Sequence, residues 1–564
     1  MKKEVLYDKI KFTAEQNPDI AVFRYKENNI WESLTYKQYI IQSEKLAKKL
    51  FDKGIQKGDV VASYSNNSVW LNILDLALLQ IGAIHAVFFP NYSQENLNEV
   101  IQYIQPKAIF GHSGLFLSNL IKVKNNSQHS FQLYSLLPNR KDILSVSDLL
   151  SNEGVSDAIL EPVLPDDPYS VYFTSGTTGS AKGALVTNRA IVKTIDALQL
   201  IFTLEKNDSA ISIAPLSVSS ERCLNYFYQC SGVTTYYSET MEKVIETIQV
   251  AKPAVFLTSP MMLHKIRENI YAKLNELPSG FKKSLLRKAL VYAEDECNIN
   301  KVSLLKYIYN KLIFSKFRKI LGGKIRYIVS GGAASSKNTL IFYHNIGIPV
   351  YEGYGMTECH TIAVNRPKSN QNTYDHVGSA FGETEIRISN EGEILCRSPY
   401  MFYEYFNLKE TTQLSFTQDG FFKTGDKGEL DKNGNLKING RIKNIFKTEA
   451  GIYINPEGIE ATLMQDVVFE QIVVIGENKR FLTALIYPNN SDNITTMEEM
   501  MMLIKSGIEK YNNTKVAVEQ IHDFHIINNP FSVEKNELTL SLKPKRNIIE
   551  QHYKNEIQKM YDDK

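Results

Sequence analysis

Val171-Tyr-Phe-Thr-Ser-Gly-Thr-Thr-Gly-Ser-Ala-Lys-Gly183 decides the reading of this chain. An apolar, β-like run enters a loop dense in glycines and hydroxyl side chains that closes on one lysine. Such a loop suits a polyphosphate. Gly176 and Gly179 let backbone N–H groups point at phosphate oxygens, Thr174, Ser175, Thr177 and Thr178 add hydroxyl donors, and Lys182 adds a positive charge. It is not the G-x-x-x-x-G-K-[ST] loop, because Lys182 is followed by Gly183. The strand entry and the lysine inside the loop set it apart from an ordinary Ser/Thr/Gly surface turn.

Outward from this loop, helical stretches alternate with short apolar runs, an α/β pattern. Tyr36, Tyr39, Ile40, Leu46, Ala47 and Leu50 share one helical face, Asp59-Val-Val-Ala-Ser-Tyr-Ser reads as a buried strand, 69–82 as a helix and His85-Ala-Val-Phe-Phe as a strand. Parallel pairing through helical crossovers follows. Between Pro260 and Gly322 the chain is lysine-rich and helical. There Leu305, Ile308 and Leu312, then Ile313, Phe317 and Ile320, stand at helix-face spacing, so a packed face under a solvated basic one is expected, with docking on anionic lipid as the alternative. Beyond Glu393 the texture is strand and turn, with Asp419-Gly420 and Asn433-Gly434 as hairpin signals. A boundary near Gly440 divides the chain into 1–440 and a small α+β unit, 441–564.

The 564 residues suggest three or four domain-sized units. Lys+Arg 64 against Asp+Glu 62 gives a net charge of +2, which argues against a nucleic-acid partner. Five cysteines with no C-x-x-C pair indicate neither a disulfide framework nor a thiolate zinc site. The first residues turn polar before a signal-peptide core forms, and the apolar window 69–89 is interrupted by Asn72, Asp75, Gln80 and His85. A cytoplasmic protein is expected, with peripheral membrane contact left open.

Three further motifs follow the loop in order: Tyr351-Glu-Gly-Tyr-Gly-Met-Thr-Glu358, Lys423-Thr-Gly-Asp426 and Gly440-Arg441. With the loop they resemble the signature set of the acyl-adenylate-forming superfamily. The segment 311–333, Lys57-Gly-Asp-Val-Val and Glu537-Leu-Thr-Leu-Ser-Leu-Lys-Pro-Lys-Arg546 resemble its long-chain fatty acyl-CoA synthetase branch.

The resemblance implies a large multi-subdomain adenylation domain of mixed and parallel sheets flanked by helices, followed by a small mobile C-terminal domain. It implies that ATP is bound by the 174–183 loop, by Gly331, Gly332 and Ala333, by Glu352, Gly353, Tyr354 and Gly355, and by Asp426 and Arg441. Tyr354 would stack on the adenine, Thr357 would contact the α-phosphate, and Asp426 would accept from both ribose hydroxyls. Mg2+ would be held by Glu358, with Thr174. Lys543 is the implied catalytic lysine beside Thr357 and Glu358, and Lys443 is the implied hinge that swings the C-terminal domain between half-reactions. The implied activity joins a medium or long fatty acid, through acyl-AMP, to coenzyme A. An acyl carrier protein is the alternative acceptor, and an aryl or specialised acid the alternative substrate. A catalytically silent lipid-binding relative is opposed by the presence of Lys182, Glu358, Asp426, Arg441 and Lys543.

Some positions depart from the branch. Val218 stands where a histidine or aromatic is usual and, with Met261, Met262 and Gly332, is assigned to the acyl pocket. Flexible methionines suit an adaptable wall, and ordinary core packing suits them equally. Glu449, Ala450 and Ile452 alter the loop after the hinge, which bears on the thiol step more than on adenylation. The ten histidines form no H-x-x-x-H pair, and Cys359 reads as packing.

Overall fold

The computed structural model describes residues 4–562 except 138–141, 152–158, 175–181, 239, 241–242, 277, 300, 302, 367–373, 467, 490–495 and 540–541. The fold is α/β. A seven-stranded sheet runs in the order Glu404–Tyr405, Lys182–Thr187, Pro168–Thr174, Ile84–Phe88, Val60–Tyr64, Ala108–Gly111, Gln132–Ser135. Its strands pair in parallel from Pro168–Thr174 to Gln132–Ser135, as expected of strands joined by helical crossovers, and antiparallel at the other edge.

The helices obey their sequence signals. Tyr36–Asp52 starts at a Thr35–Gln38 capping box and buries Tyr36, Tyr39, Ile40, Leu46, Ala47 and Leu50. Val69–Ile81 ends on Gly82 in the left-handed conformation, and its aliphatics are buried on nearly every side because it lies between layers.

A nine-stranded sheet is built around Ser209–Ser212, Val255–Thr258, Ile328–Gly331 and Val350–Met356. The two sheets are tied through a buried polar cluster. Arg222, on the Ser219–Cys230 helix, pairs with Asp75 and donates to the Ser170 hydroxyl at 2.9 Å, while His85 stands 2.6 Å from Asp75. Burial pushes the Asp75 carboxyl up, and Arg222, His85 and Tyr226 overcome that and hold it well below the usual carboxylate range. Arg222 thus joins the layers; removing it would leave a buried charge unpaired.

A four-stranded antiparallel sheet carries Glu385–Ile388, Glu393–Arg397, Phe422–Leu430 and Leu436–Arg441. Gly434, at φ +78°, turns the chain between its last two strands as the Asn-Gly signal requires. After Arg441 the strand partners change: Phe446–Lys447 pairs with Tyr453–Ile454, and Phe469–Ile475, Leu482–Pro488 and Ile521–Ile526 form a three-stranded sheet. Alternation along Phe469–Ile475 buries both faces of that sheet. Ile472 and Val474 pack with Leu463, Met500 and Ile504, while Val473 and Ile475 pack with Phe531, Leu538, Ile549 and Met560. Leu538 thereby anchors the segment that leads to Lys543.

One helical expectation is overturned. Leu304–Tyr309, a π-helical turn Asn310–Phe314 and Ser315–Ile320 follow without a break. Ile313 and Phe317 are buried as expected, but Leu305, Ile308 and Leu312 face outward and Ile320 is also exposed. At about 100° per residue the Leu305, Ile308 and Leu312 stripe stands roughly a quarter-turn from the Ile313, Phe317 and Ile320 stripe, so the core that covers Ile313 and Phe317 leaves the first stripe outside. Among the described residues no helix is long and apolar enough to cross a membrane.

Candidate functional site

The strand Pro168–Thr174 turns back into Lys182–Thr187, with Thr174 and Lys182 as register partners. This pairing brings the two ends of the glycine-rich loop together on adjacent strands; Ser175, Gly176, Thr177, Thr178 and Gly179 lie outside the described residues. The Thr174 hydroxyl is 3.4 Å from the Lys182 carbonyl. Lys182 Nζ stands 5.1 Å from the centre of the Tyr405 ring, a cation–π contact. The Tyr405 hydroxyl donates to Glu358 Oε1 at 2.7 Å. A lysine from the loop is thus coupled through an aromatic ring to the carboxylate of the second motif.

Thr357 and Glu358 occupy the turn between Val350–Met356 and His360–Asn365. The turn is tight: a Cβ on Gly355 would stand 1.8 Å from the His360 carbonyl oxygen, so glycine is required. Cys359 packs against Cys396, Sγ to Sγ 3.2 Å, which seats this turn on the four-stranded sheet. Glu358 is buried. Burial raises its carboxyl above the usual range, while the Tyr405 hydroxyl and the positive charges of Arg441 and Lys182 pull the other way.

Tyr354, on the strand before the turn, donates its hydroxyl to Asp426 Oδ2 at 2.7 Å. Asp426 and Arg441 face each other across adjacent strands, with Arg441 Nε 3.1 Å from Oδ1. Burial raises Asp426, against the cations of Arg441 and Lys543 and the Tyr354 hydroxyl. Lys543 comes from the far C-terminal part of the chain and keeps an exposed face. Its ammonium is pushed below its ordinary value by partial desolvation and then by Arg441, with Glu457 and Asp426 opposing. Its loop is closed by two bonds to Thr539: Lys543 N–H donates to the Thr539 hydroxyl oxygen at 3.0 Å, and Thr539 N–H donates to the Lys543 carbonyl at 2.7 Å.

Gly331, the last residue of its strand, is the register partner of Gly353 in the neighbouring parallel strand, and Gly332 and Ala333 are exposed beyond it. Glu352 has a local task. Its buried carboxylate accepts from Ser335 N–H at 2.9 Å and so pins the 330–335 loop; burial raises it to about 7.

Lys443 is exposed in the turn after Arg441, where Asn444 N–H and Ile445 N–H both donate to the Arg441 carbonyl. Just before it, Gly440 at φ +117° leaves no room for a side chain, because a Cβ would stand 2.6 Å from Asn455. The residues assigned to the acyl pocket differ in burial. Val218 packs with the core around Phe88 and Phe173, Met261 is 55% exposed on the first turn of Pro260–Glu276, and Met262 is half-buried.

Two participants carried no signal of their own in the sequence. Tyr405 reaches Glu358 because Glu404–Tyr405 pairs with the strand that begins at Lys182. Glu457 accepts from Asn444 Nδ2 at 2.7 Å and so lies beside the turn that holds Lys443. A separate cavity of about 500 Å3, lined by Arg267, Tyr271, Glu294, Thr462, Asp466 and Lys510 among others, contains none of the motif residues.

Among the described residues no group of three or more His, Cys, Asp or Glu could hold a metal alone. A single buried carboxylate such as Glu358 nonetheless fits Mg2+ as it usually accompanies nucleotides, held by one or two carboxylates and by phosphate oxygens.

The AMP-binding enzyme family matches residues 10–406, and the AMP-binding enzyme C-terminal domain matches residues 444–564. The long-chain-fatty-acid–CoA ligase FadD15 of Mycobacterium bovis is 26% identical over 97% of this chain and 95% of its own length. Long-chain-fatty-acid–CoA ligase 5 of Rattus norvegicus is 30% identical over 71% of this chain and 63% of its own. The adenylation domain of a carboxylate reductase from Mycobacterium chelonae superposes with a TM-score of 0.81 at 19% identity, covering 99% of this chain and 91% of that one. The A-PCP didomain of a carboxylic acid reductase from Segniliparus rugosus, in complex with AMP, gives 0.78 at 16% identity over 99% and 82%. O-succinylbenzoate coenzyme A synthetase of Bacillus subtilis, in complex with ATP and magnesium ion, gives 0.71 at 18% over 96% and 98%. Matches to both parts of the chain agree with the motif order and with the α/β architecture: the chain belongs to the AMP-binding enzyme family and is an AMP-forming ligase.

Proposed function

We propose that this enzyme activates a medium- or long-chain fatty acid with ATP and passes the acyl group to coenzyme A. The observation that carries the reading is that Lys543, from the C-terminal part, is close enough to Asp426 and Arg441 for their charges to act on one another. The two-part division, the site roles and the hinge at Lys443 belong to the same proposal.

A carboxylate is a poor electrophile for a thiol. In the proposed first step a carboxylate oxygen attacks the α-phosphorus, the bond to the pyrophosphate oxygen breaks, and acyl-AMP forms with the attacking and leaving oxygens in line. Lys543 and Arg441 stabilise negative charge beside the ribose and α-phosphate, and Lys182 does so at the loop. Asp426 orients the ribose, and the Tyr354 ring covers the adenine. Mg2+, when bound with the nucleotide at Glu358, offsets phosphate charge. In the second step the thiol sulfur attacks the acyl carbon, AMP leaves, and the thiol proton passes to solvent. No nucleophilic side chain is required.

A second reading replaces coenzyme A with the phosphopantetheine arm of an acyl carrier protein. It is favoured by the likeness to an A-PCP didomain and by Glu449, Ala450 and Ile452 in the loop after the hinge. Acid-dependent exchange of labelled pyrophosphate into ATP, measured over a panel of carboxylic acids, tests adenylation; adding coenzyme A or loaded carrier protein then identifies the acceptor. Exchange greatest with medium or long fatty acids, followed by acyl-CoA release, is expected. No exchange with any acid would refute the reading.

A further inference from the structure

The geometry points to the outward face of the 304–320 helix as a docking surface for an anionic phospholipid bilayer. Leu304, Leu305, Tyr307, Ile308 and Leu312 lie on this face, each between 37% and 76% exposed, while Tyr309, Ile313, Phe314 and Phe317 hold the opposite face in the core. Single exposed leucines are ordinary, but five large apolar side chains within nine residues on one face are an interaction surface. The charge around them has one sign. From 301 to 324 there are seven basic residues, Lys301, Lys306, Lys311, Lys316, Arg318, Lys319 and Lys324, and no Asp or Glu. In a chain with a net charge of +2 that is a strong local excess.

The neighbouring helix Phe281–Glu294 packs against this one through buried rings and has an exposed apolar and basic side of its own. Phe281 and Val291 are exposed beside Lys282, Arg287 and Lys288, and Tyr292 packs edge-on against Tyr309 with ring centres 5.4 Å apart. The carboxylates that follow are directed elsewhere, Glu294 to Arg267 and Glu296 to Lys337.

Apolar side chains interleaved with lysines match a surface that offers hydrocarbon beneath anionic headgroups. A second copy of this face would set like charge against like charge, and a nucleic acid would leave the leucines uncovered. After the helix the chain turns inward through the buried Leu321 to the strand Ile328–Gly331, whose end carries the Gly331-Gly332-Ala333 segment expected around the acid's carboxyl. The inference is read by binding alone and stands or falls separately from the proposed activity.

The test is flotation of the full-length protein with phosphatidylcholine vesicles that contain or lack phosphatidylserine. The protein is expected to float only with the phosphatidylserine vesicles, less as salt is raised. Lys311→Glu/Lys316→Glu/Lys319→Glu should weaken binding on the order of 100-fold, from roughly 1 kcal/mol per lysine. Leu305→Ser/Ile308→Ser/Leu312→Ser should weaken it by at least about 10-fold. Both variants should keep the wild-type melting profile, since they touch only the solvent face. Failure to float with phosphatidylserine, equal flotation without it, or unchanged binding by either variant would overturn the proposal. So would a dimer in ultracentrifugation that the triple-serine variant dissociates, which would assign the face to a second copy.

Discussion

Both oxygens of the Asp426 carboxylate are engaged: the Tyr354 hydroxyl donates to one at 2.7 Å, and Arg441 Nε stands 3.1 Å from the other. The residue expected to stack on the base and the residue expected to hold the sugar are thus joined directly. Asp426→Ala removes that acceptor and leaves a buried hydroxyl and a guanidinium unpaired. ATP affinity should fall about 10- to 100-fold, the worth of a charged hydrogen bond, in calorimetry with a non-hydrolysable analogue. Tyr354→Phe, which keeps the ring, should cost less than about 10-fold. Unchanged affinity in Asp426→Ala would remove the ribose assignment.

Tyr405→Phe deprives the buried Glu358 of its hydroxyl donor. Glu358 already binds its proton more tightly than a free carboxylate, chiefly through burial, and losing the donor raises it further. If the ionised form is needed, the rate falls as pH drops through this group. The acid limb of pyrophosphate exchange should therefore move to higher pH, with a stability loss of about 1–3 kcal/mol. A limb that stays in place or moves down would show that Glu358 does not set it.

Glu352 and Glu221 are both raised to about 7 by burial. A raised carboxyl means that the folded state binds the proton more tightly than the unfolded one. Their contribution to stability is therefore present below the unfolded value and is lost as pH rises through about 7. Glu352→Gln keeps an acceptor for Ser335 and removes one titration. Its melting temperature should decline less steeply than wild type between about pH 5 and 8, with Glu221 supplying the remaining slope.

Lys443→Pro restricts the turn assigned as hinge. Pyrophosphate exchange should survive while thioester formation is lost, because only the second half-reaction needs the rotated domain. Equal loss of both would contradict the assignment.

The sequence was most legible where function is local in the chain. The strand entry at 171–174, the Asp59-to-Ser65 strand, the Tyr36 face and the two Asx-Gly hairpins appear in the structure because periodicity and turn chemistry act over a few residues. Tyr405 was not legible, since its place beside Lys182 and Glu358 depends on strands more than two hundred residues apart. Nor was the outward turn of Leu305, Ile308 and Leu312: spacing marks an apolar stripe, and only the packing of the chain decides which stripe the core covers. Nor could the sequence join Arg222 to Asp75: only the packing of two sheets makes them buried partners.

The most direct test is Lys543→Ala, assayed for acyl-AMP formation alongside ATP binding. Adenylation is expected to fall to background while nucleotide binding remains measurable, because Lys182, Asp426 and Arg441 are kept. Acyl-AMP formation at the wild-type rate would contradict the role assigned to Lys543.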